Sequence, residues 1–361
     1  MTQTQPNVVK LLKPFGIDET IVSIKNFGNG HINDTLKVET VNNCYILQRI
    51  NHLIFTDVNK LQHNIEIVTS HIRQKLEETG EKDIMRKVLI FLPTNQGKTY
   101  YFDGENYWRV CYFIDNSCSY DEITPPLSYE AGKAFGKFQK LLSDIPDGTL
   151  TETIPNFHNM EFRLKQFYEA LQNGQPNRIE EVKNLIDAIE QRASHYCLQE
   201  KLYREGKLIK RINHCDTKVN NILFDSQTNE VLCVIDLDTV MPGFVLSDFG
   251  DFIRTAGNTG AEDDPNLDRV GINLNIVKAY AKGYMEEAHS FLTDTERDLL
   301  PYGAALLTYM QTVRFLTDYL NGDTYYKIQY PTHNLVRTKA QFKLLQSIET
   351  HLEDIASFIN A

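Results

Sequence analysis

Apolar and polar positions alternate with a period of two through the first third of the chain, the pattern of half-buried strands. Ile21–Phe27 alternates and runs into Gly28-Asn29-Gly30-His31-Ile32-Asn33, after which Leu36–Glu39 alternates again. Asn42-Asn43 then predicts a tight turn into Cys44–Ile50. At Val58, Leu61, Ile65, Val68, Ile72 and Leu76 the spacing becomes three and four, which predicts one amphipathic helix with Asp57 as N-cap and Gly80 as stop. Further strands follow at Val88–Leu92, Thr99–Phe102 and Tyr107–Ile114. Beyond Asp115 the helical period dominates, over Tyr129–Leu142, Glu161–Leu171, Pro176–Glu200, Leu274–Glu287, Thr295–Leu320 and Lys339–Ile359. Strand signals return only between Leu208 and Asp238. The expectation is an α+β chain on a bilobal, protein-kinase-like plan. Residues 1–114 form a small β-rich lobe (a five-stranded antiparallel sheet plus a helix), and 115–361 a large helical lobe.

Composition narrows the function more than the fold. The 361 residues carry 37 Lys and Arg against 48 Asp and Glu, a formal charge of −11, which argues against nucleic acid or an anionic membrane as the main partner. Met1-Thr2-Gln3-Thr4-Gln5-Pro6 lacks the basic and apolar regions of a signal peptide, and nowhere do about eighteen apolar residues run together. A cytoplasmic protein is expected, as a monomer or weak homodimer. The six cysteines form no Cys-x-x-Cys pair and several lie in apolar runs, so buried free thiols are expected over disulfides or zinc.

The chemistry concentrates at His214-Cys215-Asp216-Thr217-Lys218-Val219-Asn220-Asn221. His-x-Asp-x-x-x-x-Asn is the form of a phosphoryl-transfer catalytic loop, in which the Asp orients the attacking hydroxyl and the Asn holds a metal ion. Ile222-Leu223-Phe224 and Val231–Ile235, separated by the polar Asp225–Glu230, predict a hairpin that returns Asp236 toward Asn221. Asp216 is therefore the expected catalytic residue, with Lys218 placing positive charge on the transferring group. Asn221 and Asp236 are the expected metal ligands, joined by Asp238 if the strand continues that far. The glycine loop at Gly28 and Gly30 joins strand to strand. A dinucleotide fingerprint would need a helix after it, whereas kinases fold such a turn over ATP phosphates.

These segments resemble the aminoglycoside phosphotransferase and choline kinase superfamily over roughly residues 15 to 350. The match extends to Asp248-Phe249-Gly250-Asp251-Phe252-Ile253-Arg254 and Arg314–Asp323, and is nearest the N-acetylhexosamine 1-kinases. The resemblance implies Mg²⁺- and ATP-dependent phosphorylation of the anomeric hydroxyl of N-acetylglucosamine or N-acetylgalactosamine. It gives Asp248 a structural role under the catalytic loop. The third strand of the superfamily usually offers a phosphate-anchoring Lys or Arg. Here that place holds Gln48 with Arg49 beside it, so either residue is a candidate anchor, with Glu66 on the helix as its partner. Arg314 has two readings, contact with the sugar or pairing with a structural carboxylate. Tyr325 and His31 are likewise candidate substrate contacts or packing residues. The rivals are a kinase for choline, homoserine or a thiosugar, and a nucleotide-binding pseudokinase, the latter motivated by Gln48 and opposed by intact Asp216, Asn221 and Asp236.

Overall fold

Alternating side chains fold as β1 (Ile21–Asn26), β2 (Asp34–Thr40) and β3 (Cys44–Ile50), an antiparallel meander. The computed structural model describes residues 5–28 and 33–361. The chain divides into two units. The first takes the residues up to Cys118 together with Gly148–Ile154 and Leu223–Met241; the second takes Ser119–Asp147, Pro155–Ile222 and Pro242–Ala361.

In the first unit, β4 (Tyr101–Phe102) and β5 (Tyr107–Tyr112) complete a five-stranded sheet in the order β1-β2-β3-β5-β4. Leu36, Val38, Tyr45, Leu47, Trp108 and Val110 point to one face, where Val8, Leu11 and Leu12 of α1 (Gln5–Leu12) join them in a core. Period two then sends Thr35, Gln48 and Arg109 to the other face, in register across three strands. α2 (Val58–Glu78) buries the whole predicted apolar stripe, and Asp57 caps it by accepting from Lys60 N at 3.1 Å. Its buried Asn64 donates to Thr151 O (2.8 Å) and Val240 O (2.9 Å), which ties the helix to the unit's two later segments. A short helix α3 (Ile84–Lys87) follows. The predicted strand at Val88–Leu92 is reduced to one bridge, Phe91 with Cys111, because Pro93 has no N–H to continue a ladder and β4 takes the rest of the β5 edge. β6 (Ser117–Cys118), β8 (Ile222–Asp225) and β9 (Val231–Val234) form a three-stranded sheet in the order β6-β8-β9, so the predicted hairpin is present.

The second unit is helical: α4 (Pro125–Leu142), α5 (Met160–Asn173), α6 (Pro176–Glu181), α7 (Lys183–Tyr196), α8 (Leu198–Arg204), α9 (Val245–Ala256), α10 (Leu274–Ala288), α11 (Asp294–Asp298), α12 (Leu300–Leu320), α13 (His333–Thr350) and α14 (Leu352–Ile359). A short ribbon of β7 (Arg211–Asn213) and β10 (Met241–Gly243) lies among them. The helix predicted over Pro176–Glu200 is three helices, broken at Val182 and Cys197, and the one over Thr295–Leu320 breaks at Leu299. Apolar spacing passes through such breaks unchanged, which is why periodicity missed them. No helix among the described residues is long and apolar enough to cross a membrane.

Candidate active site

The loop after β7 turns sharply because Cys215 adopts a left-handed φ of 63°. That turn aims two successive backbone N–H groups at one carboxylate: His214 N and Cys215 N each donate to Asp248, near the start of α9, at 2.8 Å. Gln139 Nε2 adds a third bond at 2.8 Å, and Thr217 Oγ1 donates to the Asp248 carbonyl at 2.6 Å. Burial pushes the Asp248 pKa up, opposed by His214 and these donors. His214 is fully buried and meets the ring edges of Phe135 and Phe138. Asp248 thus braces the loop from beneath, the structural place expected of it.

On that brace the predicted residues converge. Lys218 Nζ lies 2.7 Å from Asp216 Oδ1, and Asn221 Nδ2 donates to Asp216 O (2.8 Å) and Oδ2 (3.2 Å). Burial works against the charge on Lys218, but the carboxylates of Asp216 and Asp251 outweigh it and raise its pKa. Asn221 spends its NH₂ on Asp216, which leaves its amide oxygen as the group suited to a hard cation.

Other charged side chains of the same unit lie within electrostatic reach of one another, Arg163, Arg314, Asp251 and Arg254 about His158 and Asp251 about Lys218, and most of them escaped the sequence reading. Arg314 has no carboxylate partner among the described residues; it donates to Gln311 Oε1 (3.2 Å) and lies 5.4 Å from the Phe157 ring centroid, 6.0 Å from that of Tyr325 and 5.7 Å from that of Tyr326. Of its two readings, the structural carboxylate is therefore excluded. Arg163, whose guanidinium donates to Phe157 O and Gln166, is held down to about 10 by burial and by Arg314. His158 is pushed by burial to about 3 and so stays neutral. Asp251, one turn along α9 from Asp248, binds Arg254 through Oδ1, while its buried Oδ2 has no hydrogen-bond partner among the described residues. Burial opposes its ionisation, yet Arg254 and Lys218 keep its pKa low. Tyr325 is largely exposed, on a turn whose backbone N–H groups at Thr324, Tyr325 and Tyr326 all bind Asp318 at 2.8 to 2.9 Å.

The first unit sets the expected nucleotide contacts apart from one another. Gly28 has the left-handed φ of 76° that suits a glycine turn, while Gly30 and His31 lie outside the described residues. Arg49 shares the α1 face, where it pairs with Asp34 at 2.6 Å and lines a cavity of about 1020 Å³ with Lys10 and Trp108. Gln48 is on the opposite face, but its Oε1 accepts from Arg109 Nε (2.8 Å) and Nη2, and its Nε2 donates to Thr35 (2.9 Å). Glu66 partners neither: it accepts from Thr99, and the α2 residue that meets the base is Gln62, whose Oε1 accepts from Arg109 Nη1 at 3.2 Å. Asp236 begins a short 3₁₀ turn with φ 58°. Asp238, expected on the metal, is instead buried against Arg109, Nη1 to Oδ1 2.5 Å, and accepts from Asn33 through Oδ2. Of the three expected ligands, Asp236 and Asp238 belong to the first unit and Asn221 to the second. Among the described residues no three His, Cys, Asp or Glu side chains cluster as a metal site, and all six cysteines are free. The signal for Arg109 was one basic residue inside the apolar run Trp108–Cys111.

The model of the phosphotransferase enzyme family called APH matches residues 23–284, which include the glycine loop, the catalytic loop and Asp236. The chain belongs to this family. Solved structures agree on the fold. An aminoglycoside phosphotransferase from Alicyclobacillus acidocaldarius superposes with a TM-score of 0.65 at 12% identity, covering 100% of this chain and 98% of that one. A spectinomycin phosphotransferase in complex with ADP and spectinomycin gives 0.58 at 14%, over 98% and 99% of the two chains. An ethanolamine kinase of Plasmodium vivax gives 0.59 at 13%, over 94% and 89%. The α+β, protein-kinase-like fold expected from the sequence is thus the fold of this phosphotransferase.

Proposed function

We propose that this phosphotransferase uses ATP and Mg²⁺ to phosphorylate the anomeric hydroxyl of an N-acetylhexosamine. The observation that carries the reading is the convergence of Asp216, Lys218 and Asn221 in the unit that also holds Arg163 and Arg314, which have no carboxylate partner among the described residues, and Asp251, whose Oδ2 has no hydrogen-bond partner among them. Asp216 accepts the hydrogen bond of the sugar hydroxyl, aims it, and takes its proton as transfer proceeds. Lys218 holds positive charge next to that carboxylate and offsets charge on the moving phosphoryl group. Arg314 and Arg163 offer N–H donors to hydroxyl and acyl oxygens, and Asp251 Oδ2 offers an acceptor to a sugar hydroxyl. Tyr325 supplies an exposed ring suited to the face of a hexose. Mg²⁺, when bound, offsets the charge of the phosphate oxygens; an amide oxygen and a carboxylate, Asn221 and Asp236, are the donors that suit it.

Choline is disfavoured by the same residues, because guanidinium groups at Arg163 and Arg314 repel a quaternary ammonium. ADP release measured over N-acetylglucosamine, N-acetylgalactosamine, glucose, choline, homoserine and methylthioribose tests the choice. The highest kcat/KM is expected for the two N-acetylated sugars. Preference for choline or homoserine overturns the acceptor, and ATP binding without turnover of any alcohol favours a pseudokinase.

A further inference from the structure

ATP brings three phosphates, and a protein that binds them needs fixed positive charge near the glycine turn. The third strand does not supply it, since Gln48 is neutral and Arg49 faces α1 and is paired with Asp34. On the face of the sheet that carries Gln48, Lys37 is spent on the Phe113 ring, 3.7 Å to the centroid, and on Glu39 at 3.6 Å. One cation on that face is buried and held on several sides: Arg109, directly across from Gln48 on β5 and 3% exposed.

Resting on the ATP-dependent reading above, we propose that Arg109 is the phosphate-anchoring cation of the first unit, with Gln48 and Gln62 as its positioning amides and Asp238 as its resting counter-ion. Three observations carry this. Gln48 Oε1 takes Nε and Nη2 together while Gln62 Oε1 takes Nη1, which fixes the plane of the guanidinium from β3 and from α2. A second base at position 48 would stand against Arg109 in the same cross-strand pair and repel it, so a buried Arg on β5 accounts for a neutral amide on β3. The ion pair with Asp238 is close but poorly aimed: Nη1 and Oδ1 are 2.5 Å apart, yet among the described residues that buried oxygen receives no hydrogen bond along an N–H axis. Asp238 is therefore an anionic oxygen resting in a cationic seat without satisfying it. A phosphate oxygen, able to align with the guanidinium fork, takes that seat in its place.

The test is equilibrium binding of ATP, ADP and adenosine in metal-free buffer, by calorimetry, with thermal melting of each variant as a check on folding. Arg109→Gln with Asp238→Asn removes both charges together, so no lone ion is left buried. It is expected to weaken ATP and ADP by about ten- to a hundredfold and adenosine by less than about twofold. Asp238→Asn alone is expected to tighten ATP, because a competing carboxylate is gone, whereas a merely structural pair gives no tightening. Should the double variant fail to fold, Arg109→Lys keeps the charge, loses the fork, and is expected to weaken ATP about tenfold with adenosine unchanged. A folded variant that binds all three ligands within about twofold of wild type overturns the assignment. Wild-type protein that binds no ATP overturns the ATP-dependent reading itself.

Discussion

Asp216 keeps its carboxylate 2.7 Å from Lys218 Nζ only while the loop beneath it stays in one conformation. Asp216→Asn retains the shape and removes the proton acceptor. Turnover is expected to fall by about 10²- to 10⁴-fold with ATP affinity held within a few-fold, which steady-state and binding assays read separately. Asp248→Ala touches no substrate, but strands the N–H groups of His214 and Cys215 and the amide of Gln139 in a buried place. A loss of about 3 kcal/mol or more is expected in chemical denaturation, together with lower activity. The meeting of Asp216 and Asn221 was legible in the sequence because it is local, set by a spacing of five within one loop. Arg109 was not, since its meaning comes from a cross-strand register with Gln48 and from Asp238, far along the chain. Asp251 escaped for a similar reason. Nothing in its neighbours shows that one oxygen is occupied by Arg254 and the other left bare.

Helices α4 and α10 cross backbone to backbone. A Cβ on Gly283 would stand 2.0 Å from the Tyr129 carbonyl, and one on Gly132 2.3 Å from that of Tyr280. Gly283→Ala is expected to cost about 1 to 3 kcal/mol as the helices are forced apart, read as a lower denaturation midpoint. The β8–β9 turn depends on charge instead. Arg86 and the N–H groups of Gln227 and Thr228 hold Asp225 down to about 2. Its folded pKa lies below the unfolded value near 3.8, so its contribution is complete above that pH and lost as pH falls through about 2. Asp225→Asn should flatten the fall of melting temperature between pH 4 and pH 2. Long periodic helices such as α2 and α10 were legible because one apolar stripe decides them. α9 carries the same period, with Val245, Leu246, Phe249, Phe252 and Ile253 on one side and Asp248, Asp251 and Thr255 on the other, but it is buried on both from Val245 to Arg254, so its polar side is not a solvent face.

The candidate residues fall in both units, with Asp216, Lys218, Asn221, Arg163 and Arg314 in one and Gly28, Arg109, Asp236 and Asp238 in the other. The measurement that bears most directly on the account is phosphorus NMR of the product formed from Mg²⁺, ATP and N-acetylglucosamine. The account predicts a new phosphate resonance split into a doublet by the anomeric proton, absent with Asp216→Asn. Release of inorganic phosphate alone, or a phosphate on another position or on another alcohol of the panel, would contradict it.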